Sequence, residues 1–179
     1  ADESLSDGRE ITVLFTDIVG FSSASENLRA AEVAAFVNAH LSIVVDCIEA
    51  EGGTVDKFIG DSVMAFWGAP EEQADAPERA CRAALAIAEK IHHDNKRKQA
   101  LGEAPTHIRI GIHSGSATVG NIGAPGRLNY TIIGDTVNIG QRLEQLGKEI
   151  HPDGTEISIL ISGDTAGKLG PGFAPASVG

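Results

Sequence analysis

Apolar runs alternate with longer amphipathic segments along the 179 residues of the chain. The runs are rich in β-branched residues, which is typical of buried strands, whereas the amphipathic segments repeat apolar side chains at helical spacing. Strands are predicted at residues 10–17, 54–59, 62–67, 107–113, 117–122, 128–133 and 156–161. Helices are predicted at residues 28–50, 75–98 and 136–146, and a short helical turn is predicted after the last strand.

The order of these elements predicts the fold class. A strand and a helix come first, and Gly60-Asp61 then joins two short strands in the pattern of a tight β-hairpin. A second helix and further strands follow. This order is that of an α+β fold with a ferredoxin-like βαββαβ core, in which an antiparallel sheet has helices packed on one face. An extra C-terminal strand and helix complete it. Residues 1–9 are predicted to be a linker, and residues 10–179 a single domain.

The balance of charge narrows the choice of partners. The chain has 14 basic and 25 acidic residues, and its net charge of −11 opposes contact with nucleic acid or an anionic membrane. The longest apolar stretch, residues 36–48, is short and interrupted by polar residues, and the N-terminus lacks a basic and apolar leader. We therefore expect no nucleic-acid partner and no direct membrane contact from this domain. Cys47 and Cys81 lack metal-site spacing and are predicted to be buried reduced thiols, which suits a cytoplasmic location.

Two aspartates end neighbouring elements of the predicted sheet. Asp17 ends the first strand, and Asp61 lies 44 positions later (61 − 17) at the tip of the hairpin that this fold pairs beside that strand. Two ionised carboxylates about 5 Å apart repel by about 3 kcal/mol at an effective dielectric near 20, so the pair favours a divalent cation. Magnesium fits because it takes few protein oxygens and completes its shell with substrate phosphates. Each aspartate alone is typical of a turn or cap, and only the pairing favours a metal site.

Three longer motifs carry a family resemblance. FTDIVGF (residues 15–21), KFIGDSVMAFWG (residues 57–68) and NYTIIGDTVNIGQRLE (residues 129–144) resemble, in the same order, motifs of class III adenylyl cyclase catalytic domains. The resemblance implies conversion of ATP to 3′,5′-cyclic AMP and pyrophosphate with two divalent metal ions, Mg²⁺ or Mn²⁺. It also implies a head-to-tail homodimer with active sites at the interface, where one subunit supplies the metal ligands and the other the transition-state contacts.

The resemblance assigns roles to single residues. Asp17 and Asp61 match the two metal-binding aspartates, and Ile18 matches the residue whose backbone carbonyl binds one ion. Asn138 matches the asparagine that orients the ribose, and Arg142 matches the arginine that stabilises charge developing on the α-phosphate. These two residues stand four positions apart and so share one helix face. Without the preceding GDTVN match, that face would be interpreted as an ordinary solvated one.

Lys57 and Thr131 match the positions that recognise the purine. A lysine offers only donors and can address N1 of adenine, whereas a threonine hydroxyl can accept from the 6-amino group. Guanine-specific members carry an acidic residue at the lysine position. Many adenylyl cyclases have an aspartate where this chain has Thr131, and the Lys/Thr pair resembles a subgroup of which some members respond to bicarbonate. Regulation by bicarbonate is therefore a further expectation.

Catalysis by two metal ions is compatible with the residue types present in the chain. Two metal ions can activate the ribose 3′-hydroxyl and hold the triphosphate during an in-line displacement, so no side-chain nucleophile is needed, and no Ser/His/Asp or Cys/His arrangement stands out. The alternatives are a guanylyl cyclase, which Lys57 opposes, and a catalytically silent nucleotide-binding domain, which the complete set of metal and transition-state residues opposes. The chain ends at Gly179, before the strand in which the family carries a lysine that contacts the triphosphate, so truncation before the last strands is expected.

Overall fold

The computed structural model describes residues 5–152 and 154–179. That part of the chain forms six strands and five helices. In chain order they are β1 (Leu5–Ile18), α1 (Phe21–Ser25), α2 (Ala30–Ala50), β2 (Thr54–Ile59), β3 (Ser62–Trp67), α3 (Ala76–Ala100), β4 (Ile108–Ala124), β5 (Arg127–Ile133), α4 (Asp135–Ile150), β6 (Ile157–Ile161) and α5 (Gly163–Ala166). The predicted long helices and the β2–β3 hairpin are present, and α1 is an additional short helix.

The six strands belong to one sheet. Its order is β2-β3-β1-β4-β5, with antiparallel neighbours, and β6 pairs parallel to β4. The first four strands have the order of a ferredoxin-like split βαβ core. The outer edge of β4 carries two partners, because residues 108–112 pair with β6 and residues 118–124 pair with β5. The predicted α+β fold is confirmed.

The core lies on both faces of the sheet. Successive residues of a strand point to opposite faces, so Leu14 of β1 joins one apolar cluster with α2 and α3, whereas Val13 and Phe15 join a second. The first cluster confirms the predicted packing of the two ferredoxin-like helices on one face. On the other face, α4 lies so close to β1 that a Cβ added at Gly140 would be 2.7 Å from Val13 Cγ1.

Two boundaries differ from the sequence predictions. Strand β1 begins at Leu5, inside the predicted linker, and its early residues pair with the far end of β4 after a register shift between Ser6 and Arg9. Residues 1–4 of that linker lie outside the described residues. The two strands predicted around Ser114 form one strand, because Ser114 and Gly115 continue the pairing with β1. The Ser114 hydroxyl is buried and hydrogen-bonded to the hydroxyls of Thr12 and Thr165, both at 2.9 Å.

Helix α2 is long and apolar enough to cross a membrane by length and composition, in contrast to the expectation from the sequence. Its buried residues are His40, Val44, Cys47 and Ile48, and the last three belong to the core cluster that α2 shares with α3 and the sheet. The helix therefore supplies one side of the domain core. Helices in the core of a domain can have the same length and apolar composition as a membrane-spanning helix.

Both cysteines are buried free thiols, as predicted. Burial raises the pKa of the Cys47 thiol and raises that of Cys81 to about 11. Both thiols are therefore protonated near neutral pH and are poor nucleophiles.

Candidate metal and nucleotide site

The carboxyl end of β1 and the β2–β3 turn bring Asp17 and Asp61 to the same place. Strands β1 and β3 are antiparallel neighbours with Thr16 opposite Val63, so the end of β1 lies beside the turn that precedes β3. The backbone N–H of Ile18 donates to Asp61 Oδ2 at 2.8 Å. Asp61 is thus held against the residue that directly follows Asp17, as the predicted metal site requires.

A buried guanidinium holds one side of Asp17. Arg109 lies opposite Asp17 in the β1–β4 register, and its Nη2 donates to Asp17 Oδ2 at 3.2 Å. The Nε of Arg109 donates to Glu144 Oε1 of α4 at 3.3 Å. Neither Arg109 nor Glu144 was predicted from the sequence. Glu144 is the last residue of the third motif, and this was the only signal that could have drawn attention to it.

Negative charge exceeds positive charge around Asp17. Asp17 and Asp61 supply two carboxylates, and Arg109 supplies one guanidinium, which contacts Asp17 and the carboxyl group of Glu144. Burial, followed by the nearby Asp17 carboxylate, raises the pKa of Glu144 to about 8, although Arg109 acts in the opposite direction. Such a shift is typical of carboxylates that are crowded in a poorly solvated place. The surroundings therefore favour an additional cation.

The second oxygen of Asp17 fits such a cation. Asp17 Oδ1 is buried and, among the described residues, has no hydrogen-bond partner. A small cavity of about 80 Å³, lined by Asp17, Ser62, Glu144 and neighbouring side chains, lies beside it. No group of three or more His, Cys, Asp or Glu side chains within residues 5–152 and 154–179 could hold a metal ion by itself. Magnesium does not need such a group, because one or two carboxylates and substrate phosphates suffice.

Asn138 and Arg142 lie on the exposed face of α4. The opposite face of this helix presents Gly140, Glu144 and Gly147 to the sheet, at the i, i+4 and i+7 positions. In the described part of the chain neither the Asn138 nor the Arg142 side chain makes a hydrogen bond or an ion pair, so no such interaction joins them to Asp17 or Asp61. Both side chains are available to a ligand that approaches α4 from outside.

Lys57 and Thr131 meet at a carboxylate that the sequence analysis missed. The Thr131 hydroxyl donates to Asp56 Oδ2, and Lys57 Nζ lies 3.7 Å from Asp56 Oδ1. Strands β2 and β5 stand at opposite ends of the strand order, so the sheet curves enough to bring these side chains into contact. The Asp56 side chain is 3% exposed, whereas that of Lys57 is 51% exposed. The structure thus joins the two predicted purine-contacting residues in one cluster.

Exposed apolar side chains flank both groups of site residues. Phe58 and Ile59, which precede the Asp61 turn, are 51% and 53% exposed. Ile133 and Ile139, on either side of the start of α4, are 51% and 36% exposed. A partner that covers either group of site residues would remove such side chains from water.

Comparison with known proteins gives a family match over most of the chain. The sequence model of the adenylate and guanylate cyclase catalytic domain matches residues 5–167. Adenylate cyclase 1 of Rhizobium meliloti is 41% identical over 155 residues, which are 87% of this chain and 23% of that protein. The chain therefore spans about a quarter of the length of this relative.

Solved structures of two cyclases are similar to the fold described above. The adenylyl cyclase CyaB from P. aeruginosa is 35% identical, with a TM-score of 0.80 over 92% of this chain and 81% of that chain. The guanylyl cyclase Cya2 is 34% identical, with a TM-score of 0.79 over the same shares. Because the two values are nearly equal, overall similarity does not distinguish between adenine and guanine as the substrate base.

Proposed function

Because the chain belongs to the family of adenylate and guanylate cyclase catalytic domains, we propose that it converts ATP to 3′,5′-cyclic AMP and pyrophosphate. In this proposal two divalent metal ions act at the interface of a head-to-tail homodimer. The main observation in its support is the position of Asp61, held by the backbone N–H of the residue after Asp17, together with the buried Asp17 Oδ1, which has no hydrogen-bond partner among the described residues. This is an oxygen-rich, negatively charged site that suits Mg²⁺ or Mn²⁺.

The chain's own residues would prepare the metal site. Asp17, the backbone carbonyl of Ile18 and Asp61 would hold the ions. Arg109 occupies Asp17 Oδ2 and leaves Oδ1 for a cation, so the orientation of the ligand is set before substrate arrives. When bound, the ions would lower the pKa of the ribose 3′-hydroxyl and neutralise the triphosphate.

The second group of residues would act on the substrate from α4. Asn138 would orient the ribose, and Arg142 would donate to the α-phosphate, where negative charge develops as the 3′-oxygen attacks. A guanidinium suits this role because it is permanently charged and presents a planar fork of donors. Since both side chains are exposed and without partners in the described residues, they would not have to break an existing contact to bind substrate.

Adenine is the proposed base. Lys57 would donate to N1, and Thr131 would accept from the 6-amino group. The alternative of a guanylyl cyclase is supported by the similarity to Cya2, but a lysine offers no acceptor to the N1–H of guanine. A catalytically silent domain is the other alternative, although the residues assigned to metal binding and to the transition state are all retained.

Dimerisation is the third part of the proposal. Among the residues that the structure describes, no hydrogen bond or ion pair joins Asn138 or Arg142 to Asp17 or Asp61, and exposed apolar side chains flank each group. An interface that buries Phe58 and Ile59 of one subunit near Ile133 and Ile139 of the other would remove these side chains from water. It would also place the two groups of residues on opposite sides of one substrate.

Product analysis tests this proposal. The purified chain is incubated with ATP or GTP and with Mg²⁺, Mn²⁺ or a chelator, and the nucleotides are separated and identified by mass. We expect cyclic AMP and pyrophosphate from ATP, little cyclic GMP, and no product with the chelator. Cyclic GMP as the main product would establish the guanylyl alternative. Nucleotide binding without any product under all metal conditions would favour the silent domain.

A cytoplasmic location and regulation by bicarbonate remain predictions. The prediction of bicarbonate sensitivity rests on Thr131 alone, because this residue gives the chain its resemblance to the Lys/Thr subgroup. It is tested by comparing turnover in chloride and bicarbonate salts at constant pH. Equal rates in the two salts would exclude it.

A further inference from the structure

Asp56 lies between the two side chains that are proposed to read the base. One of its carboxylate oxygens accepts the Thr131 hydroxyl, and the other lies 3.7 Å from the Lys57 ammonium. Its side chain is almost completely buried, at 3% exposed. A carboxylate in such a place needs partners to offset the loss of water, and Thr131 and Lys57 are the partners that the described residues provide.

An irregularity in β2 explains why two successive residues can reach one site. In a regular strand, neighbouring side chains point to opposite faces of the sheet. The β2–β3 register shifts between Val55 and Lys57. Val55 pairs with Ala65, and Lys57, two residues later, pairs with Met64, which is only one residue away from Ala65. Asp56 is therefore the extra residue of a bulge. Bulges redirect side chains and are common beside active sites.

The contact with Asp56 determines the direction of the Thr131 hydroxyl. A threonine hydroxyl has one hydrogen to donate and two lone pairs, whereas an ionised carboxylate only accepts. The hydrogen must therefore point to Asp56, and only lone pairs remain for a ligand. A hydroxyl held in this way accepts from the 6-amino group of adenine. It faces the O6 acceptor of guanine without a hydrogen to offer.

We propose that Asp56 is a positioning residue for base selection, which makes Thr131 an obligatory acceptor and so favours adenine over guanine. This inference rests on the proposed role of Lys57 and Thr131 in binding the purine. Asp56 need not touch the nucleotide, because it acts through the hydroxyl of Thr131. A purely structural link between β2 and β5 would use the same hydrogen bond but would not change the preference between bases.

The test compares four variants: Asp56→Ala, Asp56→Leu, Thr131→Val and the double variant Asp56→Leu with Thr131→Val. For each, the ratio of dissociation constants for 3′-deoxy-GTP and 3′-deoxy-ATP is measured, since these nucleotides lack the attacking hydroxyl. The kcat/KM ratio for ATP and GTP is measured in parallel. Glu49→Ala, which removes an exposed carboxylate on α2, is the matched control. Thermal unfolding reports whether each variant is folded, and the double variant replaces both partners with apolar groups, which preserves packing.

We expect Asp56→Ala and Asp56→Leu to reduce the preference for adenine by roughly fivefold to tenfold, the worth of one hydrogen bond, because the freed hydroxyl can turn and donate to O6. Thr131→Val should also reduce it, and the double variant should match Thr131→Val alone, because Asp56 acts through that hydroxyl. Glu49→Ala should leave the preference unchanged.

Other results would overturn the inference in distinguishable ways. If Thr131→Val lowers the preference and folded Asp56 variants do not, Thr131 reads the base without help from Asp56. If the effects of the two changes multiply in the double variant, Asp56 acts by a route other than Thr131. If Thr131→Val leaves the preference unchanged, the proposed purine contact itself is wrong.

Discussion

The two carboxylate oxygens of Asp17 have different surroundings. Oδ2 accepts from Arg109, whereas Oδ1 is buried without a partner in the described residues. A buried polar atom without a partner costs free energy, and a bound ion is one of the interactions that can offset this cost. The arrangement therefore keeps one oxygen in a fixed direction for a cation. Asp61, held by the backbone N–H of Ile18, is oriented by a separate contact.

Removal of either aspartate should abolish turnover without unfolding the protein. Loss of a group that only supports a metal ligand typically costs 10- to 100-fold, so loss of a ligand should cost more than about a hundredfold. Asp17→Ala and Asp61→Ala are assayed for cyclic AMP, and circular dichroism reports their fold. Asp46→Ala, which removes an exposed carboxylate on α2, is the control and should keep the parental rate. Parental activity in Asp17→Ala would end the two-metal proposal.

His113 should make stability depend on pH. Burial lowers the pKa of His113 below its ordinary value, and Asp164 acts in the opposite direction. The unfolded chain therefore binds a proton at His113 more tightly than the folded chain does. The contribution of neutral His113 to folding stability is present above about pH 6.5 and is lost as the pH falls below that value. The free energy of unfolding, measured by urea denaturation, should therefore fall less between about pH 7.5 and pH 5.5 in His113→Gln than in the parent. His93→Gln, at an exposed position, is the control and should keep the parental slope.

The sequence predicted those site residues that lie where elements end. Asp17 and Asp61 were proposed because each follows a recognisable apolar run, and the motifs assigned Lys57, Thr131, Asn138 and Arg142. Asp56, Arg109 and Glu144 were missed. Each is a charged residue inside a strand or helix, and its contacts depend on strand register or sheet curvature, which no local pattern records.

At the scale of elements, the distance between α4 and the sheet is set by small residues. An added Cβ at Gly140 would lie 2.7 Å from Val13 Cγ1 and 3.3 Å from ring atoms of Phe15. One at Gly111 would lie 2.3 Å from the backbone nitrogen of Glu144. These glycines allow the helix to approach closely enough for Glu144 to contact Arg109. The position of Asn138 and Arg142 on the opposite face follows from the same packing.

Gly140→Ala should push α4 away from β1. Overpacking of a core typically costs about 1–3 kcal/mol, so the free energy of unfolding should fall by that amount. Turnover should fall as well, because the helix carries Asn138 and Arg142. Gly163→Ala is the matched control, since a Cβ there meets nothing within 4 Å, and its stability should be close to the parental value. Equal unfolding free energies for the parent and Gly140→Ala would contradict this account of the packing.

Helices and strands with a strong periodic pattern could be predicted, but the residues at which some of them begin and end could not. The long helices and the β2–β3 hairpin occur where the apolar pattern placed them. The first residues of β1 lie in a polar stretch and are strand because the long β4 supplies backbone partners. Ser114 resembles a loop residue in sequence, yet its hydroxyl is satisfied inside the fold. Both cases depend on contacts distant in sequence.

At the scale of the whole molecule, a single chain offers two incomplete halves of a site. Asp17 lies near the end of β1 and Asp61 in the adjacent β2–β3 turn, whereas Asn138 and Arg142 face outward from α4 and share no hydrogen bond or ion pair with them in the described structure. A symmetric dimer would create two identical sites, each with the metal half of one subunit and the transition-state half of the other. Exposed apolar side chains beside both halves are consistent with such an interface. Activity should then depend on protein concentration in the range where the dimer dissociates.

Complementation between inactive variants tests the arrangement directly. Asp17→Ala damages the metal half and Arg142→Ala the transition-state half, so each homodimer has no intact site. In their heterodimer one site receives both lesions and the other receives none. With complete exchange of an equimolar mixture, about a quarter of the parental activity per chain should return, because half of the dimers are mixed and each has one intact site.

The matched control for this mixture is a pair of lesions on the same half. Asp17→Ala mixed with Asp61→Ala should stay inactive, because every site in the heterodimer then lacks one metal aspartate. Subunit exchange is first established by resonance energy transfer between labelled chains, since slow exchange would hide recovery. Recovery in the opposite-half mixture alone would place the two groups on different subunits. If exchange is complete and both mixtures remain inactive across metal and ATP concentrations, the residues do not act from opposite subunits. If both mixtures recover equally, the two aspartates do not belong to the same half.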